Sequence, residues 1–232
     1  MLALKLGQSL PSHNAAIMNA DLYSIQLTGT EYMSADAAAS EFNGNIGTFS
    51  VWTKVSTMSG GGNIFRVWYD ANNFMQMFYH AGTNQMRFVR KGSGTGVSVE
   101  ITDVIANDGL WHHIIATWDF AGSDSITIWL DGVLKDTEST IKTFDGTSTL
   151  FDVGQNTTGA SFYKGFLDEL AVFDEVIDVD LLRLRGKPFN LTGMNNLVGY
   201  WRFNEGIGST ASDSSGKGNT GTLYNSPAWT TD

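Results

Sequence analysis

Residues Asp108 to Asp136, DGLWHHIIATWDFAGSDSITIWLDGVLKD, restrict the fold more than any other stretch of this chain. From Trp111 to Phe120 the side chains fall into two sets that alternate along an extended backbone. His112, Ile114, Ala116, Trp118 and Phe120 form one; Trp111, His113, Ile115 and Thr117 form the other. Neither set is plainly polar, so a strand here must be covered on both sides. The alternation repeats from Ser125 to Leu130. Asp131-Gly132 then separates two β-prone runs by two residues, which is the signal of a type I′ hairpin. Both turn positions of that hairpin need φ > 0, which Gly reaches freely and Asp tolerates.

The rest of the chain has the same rhythm. Strand candidates fall at 22–28, 47–56, 63–70, 74–80, 84–90, 97–105, 111–120, 125–130, 133–138, 149–154, 164–174 and 197–204, with turn residues between them. Short strands at such spacing predict a sandwich or barrel. With 26 Gly and only 3 Pro, the composition suits many tight turns. One short helix is predicted from Asp178 to Arg185, capped by Asp178, with Leu181, Leu182 and Leu184 as its apolar contacts and Gly186 and Pro188 ending it. Residues 1–20 carry little β signal and read as an arm. Residues 21–232 read as the β domain, with 197–204 as its last strand and a Gly/Ser-rich tail behind it.

Composition excludes several functions. The net charge is −10 with 16% charged residues, and Lys and Arg are scattered, so no nucleic-acid partner is expected. No run is long and apolar enough to span a membrane. There is no Cys, so no disulfide holds the fold. The start, MLALKLGQSLPSHNAA, lacks the apolar core of a secretion signal.

Five segments together carry a resemblance. Trp111-His112-His113 with Ile128-Trp129-Leu130-Asp131-Gly132 is similar to the "WHHVAATYD … LYVDG" signature of laminin-G-like domains. Ser24–Tyr32 resembles their "SLSFDGTDDYV", Phe49–Lys54 their "FTVSAWVK", Gly165–Phe173 their "GYIDEVRIY", and Leu197–Gly206 their "LVGYWPFDEG". The match runs in order over residues 22–225. It implies an all-β fold, a two-sheet antiparallel β-sandwich of the concanavalin A-like lectin/glucanase type with jelly-roll order. In many relatives the last segment precedes the first. Its C-terminal place here resembles lectin-like virion proteins of tailed bacteriophages.

That likeness implies a non-enzymatic protein of the virion surface, a capsid decoration or a fibre or tail component adhering to host-surface glycans. Its partners would be other virion proteins, and copies could form a homo-oligomer. The alternatives are a secreted bacterial carbohydrate-binding or adhesion module, and a β-glucanase.

The site expectations follow. Glucanases of this fold carry Glu-x-Asp-x-x-Glu on one strand to set two carboxyls across the scissile bond. No such run occurs, and Asp168-Glu169, being adjacent, should face opposite sides of their strand. No catalytic residue is assigned. His112 and His113 cannot chelate one ion for the same reason, and read as core histidines held by hydrogen bonds. The resemblance implies one structural calcium, with Asp168 and Glu31 as the carboxylate ligands. Sugar binding would use exposed aromatic and amide side chains. The candidates are Trp68, Tyr69, Asn72, Asn73, Tyr79, Asn84 and Gln85 on the middle strands, and Asn156, Phe162 and Tyr163 before Gly165.

Overall fold

The structure, a computed structural model, describes residues 22–42, 44–55, 61–103, 105, 108–120, 122–139, 147–156, 159–183 and 190–231. The predicted arm, 1–20, lies outside the described residues. Two antiparallel eight-stranded sheets pack face to face, as expected for a jelly-roll sandwich.

The strands are β1 (Tyr23–Leu27), β2 (Tyr32–Ser34), β3 (Ile46–Val55), β4 (Gly62–Asp70), β5 (Asn73–His80), β6 (Gln85–Gly92), β7 (Thr95–Ile101), β8 (His112–Asp119), β9 (Ser125–Leu130), β10 (Val133–Ser139), β11 (Leu150–Val153), β12 (Gly165–Phe173), β13 (Leu197–Trp201), β14 (Thr210–Ala211), β15 (Gly221–Tyr224) and β16 (Ala228–Thr231). Two short helices are α1 (Asp36–Ala39) and α2 (Val179–Arg183). The first sheet runs β10-β9-β8-β3-β12-β1-β16, with β13 also paired to β12. The second runs β14-β15-β2-β11-β4-β5-β6-β7.

The Asp108–Asp136 stretch forms as read. Asp131 (φ 49°) and Gly132 (φ 78°) make the turn between β9 and β10. On β8, Ile114, Ala116 and Trp118 enter the core between the sheets. Ile115, on the opposite face, joins a second apolar cluster with Phe173, Ile177, Leu182, Leu191 and Tyr200, so β8 is covered on both sides. The central core is aromatic: Phe49 stacks on Phe65 at 3.8 Å, and Phe151 on Trp201 at 5.4 Å.

Gly47 has a packing reason. A Cβ there would meet the Trp118 ring at 2.3 Å and the Phe173 carbonyl oxygen at 2.6 Å.

Two expectations are corrected. The Gly/Ser-rich tail is built into both sheets: β15 pairs with β2, and β16 pairs with β1. These strands are short and carry few apolar residues, so they present almost no alternation of their own. The strand expected over 197–204 ends at Trp201. The helix begins as expected, with the Asp180 N–H donating to Asp178 Oδ1 at 2.9 Å. Helix α1, missed in the sequence, is only one turn of DAAA.

Candidate functional site

The outer faces of the two sheets differ. Much of the first is covered by α2 and the segment around Leu191 through the second apolar cluster. On the second sheet, β5 and β6 alternate cleanly between buried and half-exposed residues. Met75, Met77, Met86 and Phe88 point into the core. Phe74, Gln76, Phe78, Val89 and Lys91 therefore point outward.

Strand register lines these residues up in rows. One row reads Ser34, Asp152, Arg66, Gln76, Val89, Ser98 across β2, β11, β4, β5, β6 and β7. The next reads Leu150, Trp68, Phe74, Lys91. The rings of Trp68 and Phe74 stack at 5.7 Å with planes 21° apart. The guanidinium carbon of Arg66 lies 4.2 Å from the Trp68 ring centre and 4.7 Å from that of Phe74. Lys91 donates to the Ala71 carbonyl at 2.8 Å and lies 5.8 Å from the Phe74 ring centre. Asn63 donates to Gln76 at 3.2 Å. Toward the β15 edge, Tyr32 and Tyr224 stack at 4.6 Å. The face is thus a ledge of half-exposed rings bordered by amides, a cation and a carboxylate. At its other end a cleft of about 340 Å³ runs between Gly62, Asn63, Phe78, His80 and Ser161.

Burial sets the electrostatics. It raises the pKa of Asp152 to about 6, with the Asp36 carboxylate adding to the effect. Burial also lowers the pKa of Arg66.

The sequence-derived sugar candidates do not converge. Trp68 is on the ledge, and Tyr69, 40% exposed, is the last residue but one of the same strand. Asn72 and Asn73 build turns instead: both bond to Asp70 Oδ1, and Asn73 Oδ1 accepts the Ser93 N–H. Tyr79 is a core residue whose hydroxyl donates to Asn84 Oδ1 at 3.1 Å. Asn84 itself sits at φ 56° in the β5–β6 turn. Gln85 braces the Arg87–Glu100 ion pair. Asn156 Oδ1 accepts the Ala160 N–H within its own loop. Tyr163 is buried against Thr53, with its hydroxyl pKa pushed up by that burial. Phe162 is half-buried beside it. Tyr79, Tyr163 and Asn73 are therefore structural, because each spends its polar atom inside the fold. Arg66, Phe74, Gln76, Lys91 and Asp152 were missed. The period-2 pattern of Arg66 and Trp68, then Phe74, Gln76 and Phe78, was the available signal.

The proposed calcium ligands do not fit one ion. Burial alone would raise the pKa of Glu31, but hydrogen bonds from the Thr28 N–H and hydroxyl and the Thr30 N–H bring it to about 2. The Gly29 N–H also donates to it, so both carboxylate oxygens close the turn. Asp168 is fully buried on β12, and its Oδ1 accepts the Glu169 N–H at 2.9 Å. Ile25 pairs with Leu167, which puts Asp168 level with Ser24, at the opposite end of β1 from Glu31. Among the described residues, no three His, Asp or Glu side chains converge on a metal position.

Simple alternation also fails at Asp168-Glu169. A bulge between Asp168 and Ala171 sets Glu169 at φ 48°. It lies where the strand beside β12 changes from β1 to β13. Glu169 is buried there, bonded by the Tyr200 hydroxyl and by Arg202 Nε at 3.0 Å. His113 is a core histidine, with its Nε2 and Ser50 Oγ bonded at 2.8 Å and Trp52 stacked on the imidazole at 4.9 Å, whereas His112 is half-buried between the carboxylates of Asp108 and Asp131.

Comparison with solved structures agrees with the fold. A Bacteroides ovatus protein described as carbohydrate binding superposes with a TM-score of 0.63 at 14% identity, over 90% of this chain and 60% of its own. The CBM40 of the Ruminococcus gnavus IT-sialidase, bound to α2,6 sialyllactose, gives 0.57 at 14%, over 71% of this chain and 98% of its own. Domains LG4-5 of the mouse laminin α1 chain give 0.52 at 11%, over 77% of this chain and 47% of theirs. This chain thus spans less than two thirds of the Bacteroides chain and about half of the laminin one. No curated protein matches the sequence. No helix among the described residues is long and apolar enough to cross a membrane. The two-sheet architecture and a family match over residues 27–180, more than half the chain, agree that this protein belongs to the concanavalin A-like lectin/glucanases superfamily.

Proposed function

We propose that this chain is a non-enzymatic, lectin-like module that binds glycans on the outer face of its second sheet. The observation that carries this reading is the half-exposed Trp68–Phe74 ring pair on the sheet surface, flanked by Gln76, Asn63 and Lys91. Ring faces stack on the apolar faces of pyranoses, while amide and ammonium groups bond the hydroxyls. The relatives support the same class: one is described as carbohydrate binding and another is bound to sialyllactose.

Glycan-array binding followed by calorimetry tests it. Trp68→Ala removes one plate of the ledge, and a buried aromatic anchor of this kind is worth about 2 kcal/mol, or roughly 30-fold in affinity. Glycan binding that ignores Trp68→Ala would move the site elsewhere. Binding to no glycan would reject the reading. A reducing-sugar assay on the bound glycan tests the non-enzymatic part, with Asp152→Asn as the control for any turnover seen.

The setting is a further part of the proposal. The C-terminal position of the Leu197–Gly206 segment supports display on a phage particle, with virion proteins or further copies as neighbours. Mass spectrometry of purified particles tests this, and recovery of the protein only from host cells argues against it. The Bacteroides and Ruminococcus relatives favour the alternative, a bacterial carbohydrate-binding module.

A further inference from the structure

We infer that the glycan bound here is acidic, and that the Arg66 guanidinium grips the carboxylate of a carboxylated pyranose. This rests on the reading of the second sheet's outer face as a sugar ledge. The other arginine side chains described are all engaged by oxygen acceptors. Arg87 pairs with Glu100 at 3.0 Å, Arg202 pairs with Glu169, and Arg90 donates to the Gly44 carbonyl and to Asn45. Arg66 differs. Its Nε, like that of Arg87, is buried without a well-aligned hydrogen bond, but where Arg87 Nε lies 3.0 Å from Glu100, Arg66 has no carboxylate within ion-pairing distance among the described residues. Its interactions are with the rings of Trp68 and Phe74.

A buried N–H that has lost water without gaining an acceptor is costly to fold around. Ring contacts return only part of that cost. A guanidinium over ring faces still has its N–H donors in its own plane, in a fork that matches a carboxylate. The surroundings match the rest of such a sugar. Gln76 and Asp152 flank Arg66 on the neighbouring strands; the half-exposed Gln76 can bond ring hydroxyls, while Asp152 is buried and bonded by Gln155. The rings of Trp68 and Phe74 lie on the next row for the pyranose face. Lys91 beside Phe74 gives this face a second cation, in a chain whose net charge is −10.

The test is calorimetry on the full chain with matched pairs of ligands: sialyllactose against lactose, and a galacturonate oligosaccharide against its neutral galactose counterpart. The two pairs separate a sialic acid from a uronic acid. A bidentate carboxylate contact should make one acid at least about tenfold tighter than its neutral partner. Arg66→Gln should erase that preference while leaving weak neutral binding, and Arg66→Lys should keep only part of it. The methyl ester of the preferred acid should bind the unaltered protein no better than the neutral sugar, which holds even if the Arg66 variants fold poorly. Neutral and acidic sugars binding equally, with both lost in Trp68→Ala, would overturn the inference and leave the ledge intact. An acid preference that survives Arg66→Gln would also overturn it. No binding by any of these sugars would overturn the inference, and the glycan array then decides the ledge itself.

Discussion

Asp131→Asn tests whether the hairpin turn between β9 and β10 is held by charge. Asp131 Oδ1 accepts the His113 N–H at 2.8 Å, and Oδ2 lies 2.8 Å from His112 Nδ1. The other ring nitrogen of His112 lies 2.8 Å from Asp108 Oδ2. Only the doubly protonated imidazolium can donate to both carboxylates. Burial alone would lower the pKa of His112, but hydrogen bonds to Asp131 and Asp108, with their charges, leave it raised. Asn tolerates the positive φ of position 131 and keeps an acceptor for His113, so the substitution removes mainly the charge. A hydrogen bond to a charged group contributes about 1.5–3 kcal/mol when sheltered. The Asp131 side chain is 47% exposed, so solvent screening brings the expected loss down to about 1 kcal/mol.

The sign with pH follows from the raised histidine. Its contribution is fully present below its ordinary value of about 6.5 and is lost as pH rises through the higher folded-state value. The stability gap between the unaltered chain and Asp131→Asn should therefore be about 1 kcal/mol near pH 6 and fall to a few tenths near pH 9. His113 acts the other way. Burial lowers its pKa to about 4, against a pull upward from Asp131. The unfolded chain then takes up that proton first, and absolute stability falls as pH drops from about 6.5 toward 4. His113 is present in both proteins, so the difference between them largely removes it. Urea unfolding of both at the two pH values measures the gap. A gap that is constant, or larger at high pH, would refute the charge clamp.

Two further outcomes are expected. Tyr163→Phe removes a buried hydroxyl bonded to Thr53 and should cost about 1 kcal/mol in urea unfolding with glycan affinity unchanged; lost affinity at unchanged stability would return Tyr163 to the binding site. Ending the chain after Asn204 deletes β14, β15 and β16, takes Ala211 and Leu223 from the core, and removes the Asn219 carbonyl that accepts the Trp201 indole N–H. Thermal unfolding followed by circular dichroism should then lose its cooperative transition, and a sharp transition would mean the two sheets close without them.

What was legible in the sequence depended on what each residue packs against. β8 through β10 were readable because long alternating runs and an Asp-Gly turn each have one solution. β14 to β16 were not, because two to four residues with few apolar side chains carry no period. The bulge at Asp168–Glu169 was invisible because it follows from β1 giving way to β13 beside β12, a fact of long-range pairing. Among site residues, Trp68 was found by its type. Tyr79 and Tyr163 have the same kind of side chain but face inward. Alternation separates the two faces of NFMQMFYH without saying which is the core. For Arg66 the alternation with Trp68 marks only a shared face, and its missing acceptor leaves no trace in the sequence.

The outer faces of the two sheets are built differently. The first sheet buries Ile115, Ala171, Phe173 and Tyr200 on its outer side beneath α2 and the segment around Leu191. Glu169 is bonded there by Tyr200 and Arg202, and Ser50 by His113, while Lys54 over the Trp111 and Phe166 rings and a cleft of about 370 Å³ beside Trp129 stay half-open. The second sheet has an equally full inner face, yet its outer row keeps rings and a guanidinium half-exposed. Nothing in the sandwich requires Trp, Phe and Arg at those positions, since polar β-formers such as Thr would serve the strand as well. The stack of two rings and a cation with a buried, unbonded Nε is the feature on which the proposed glycan site rests.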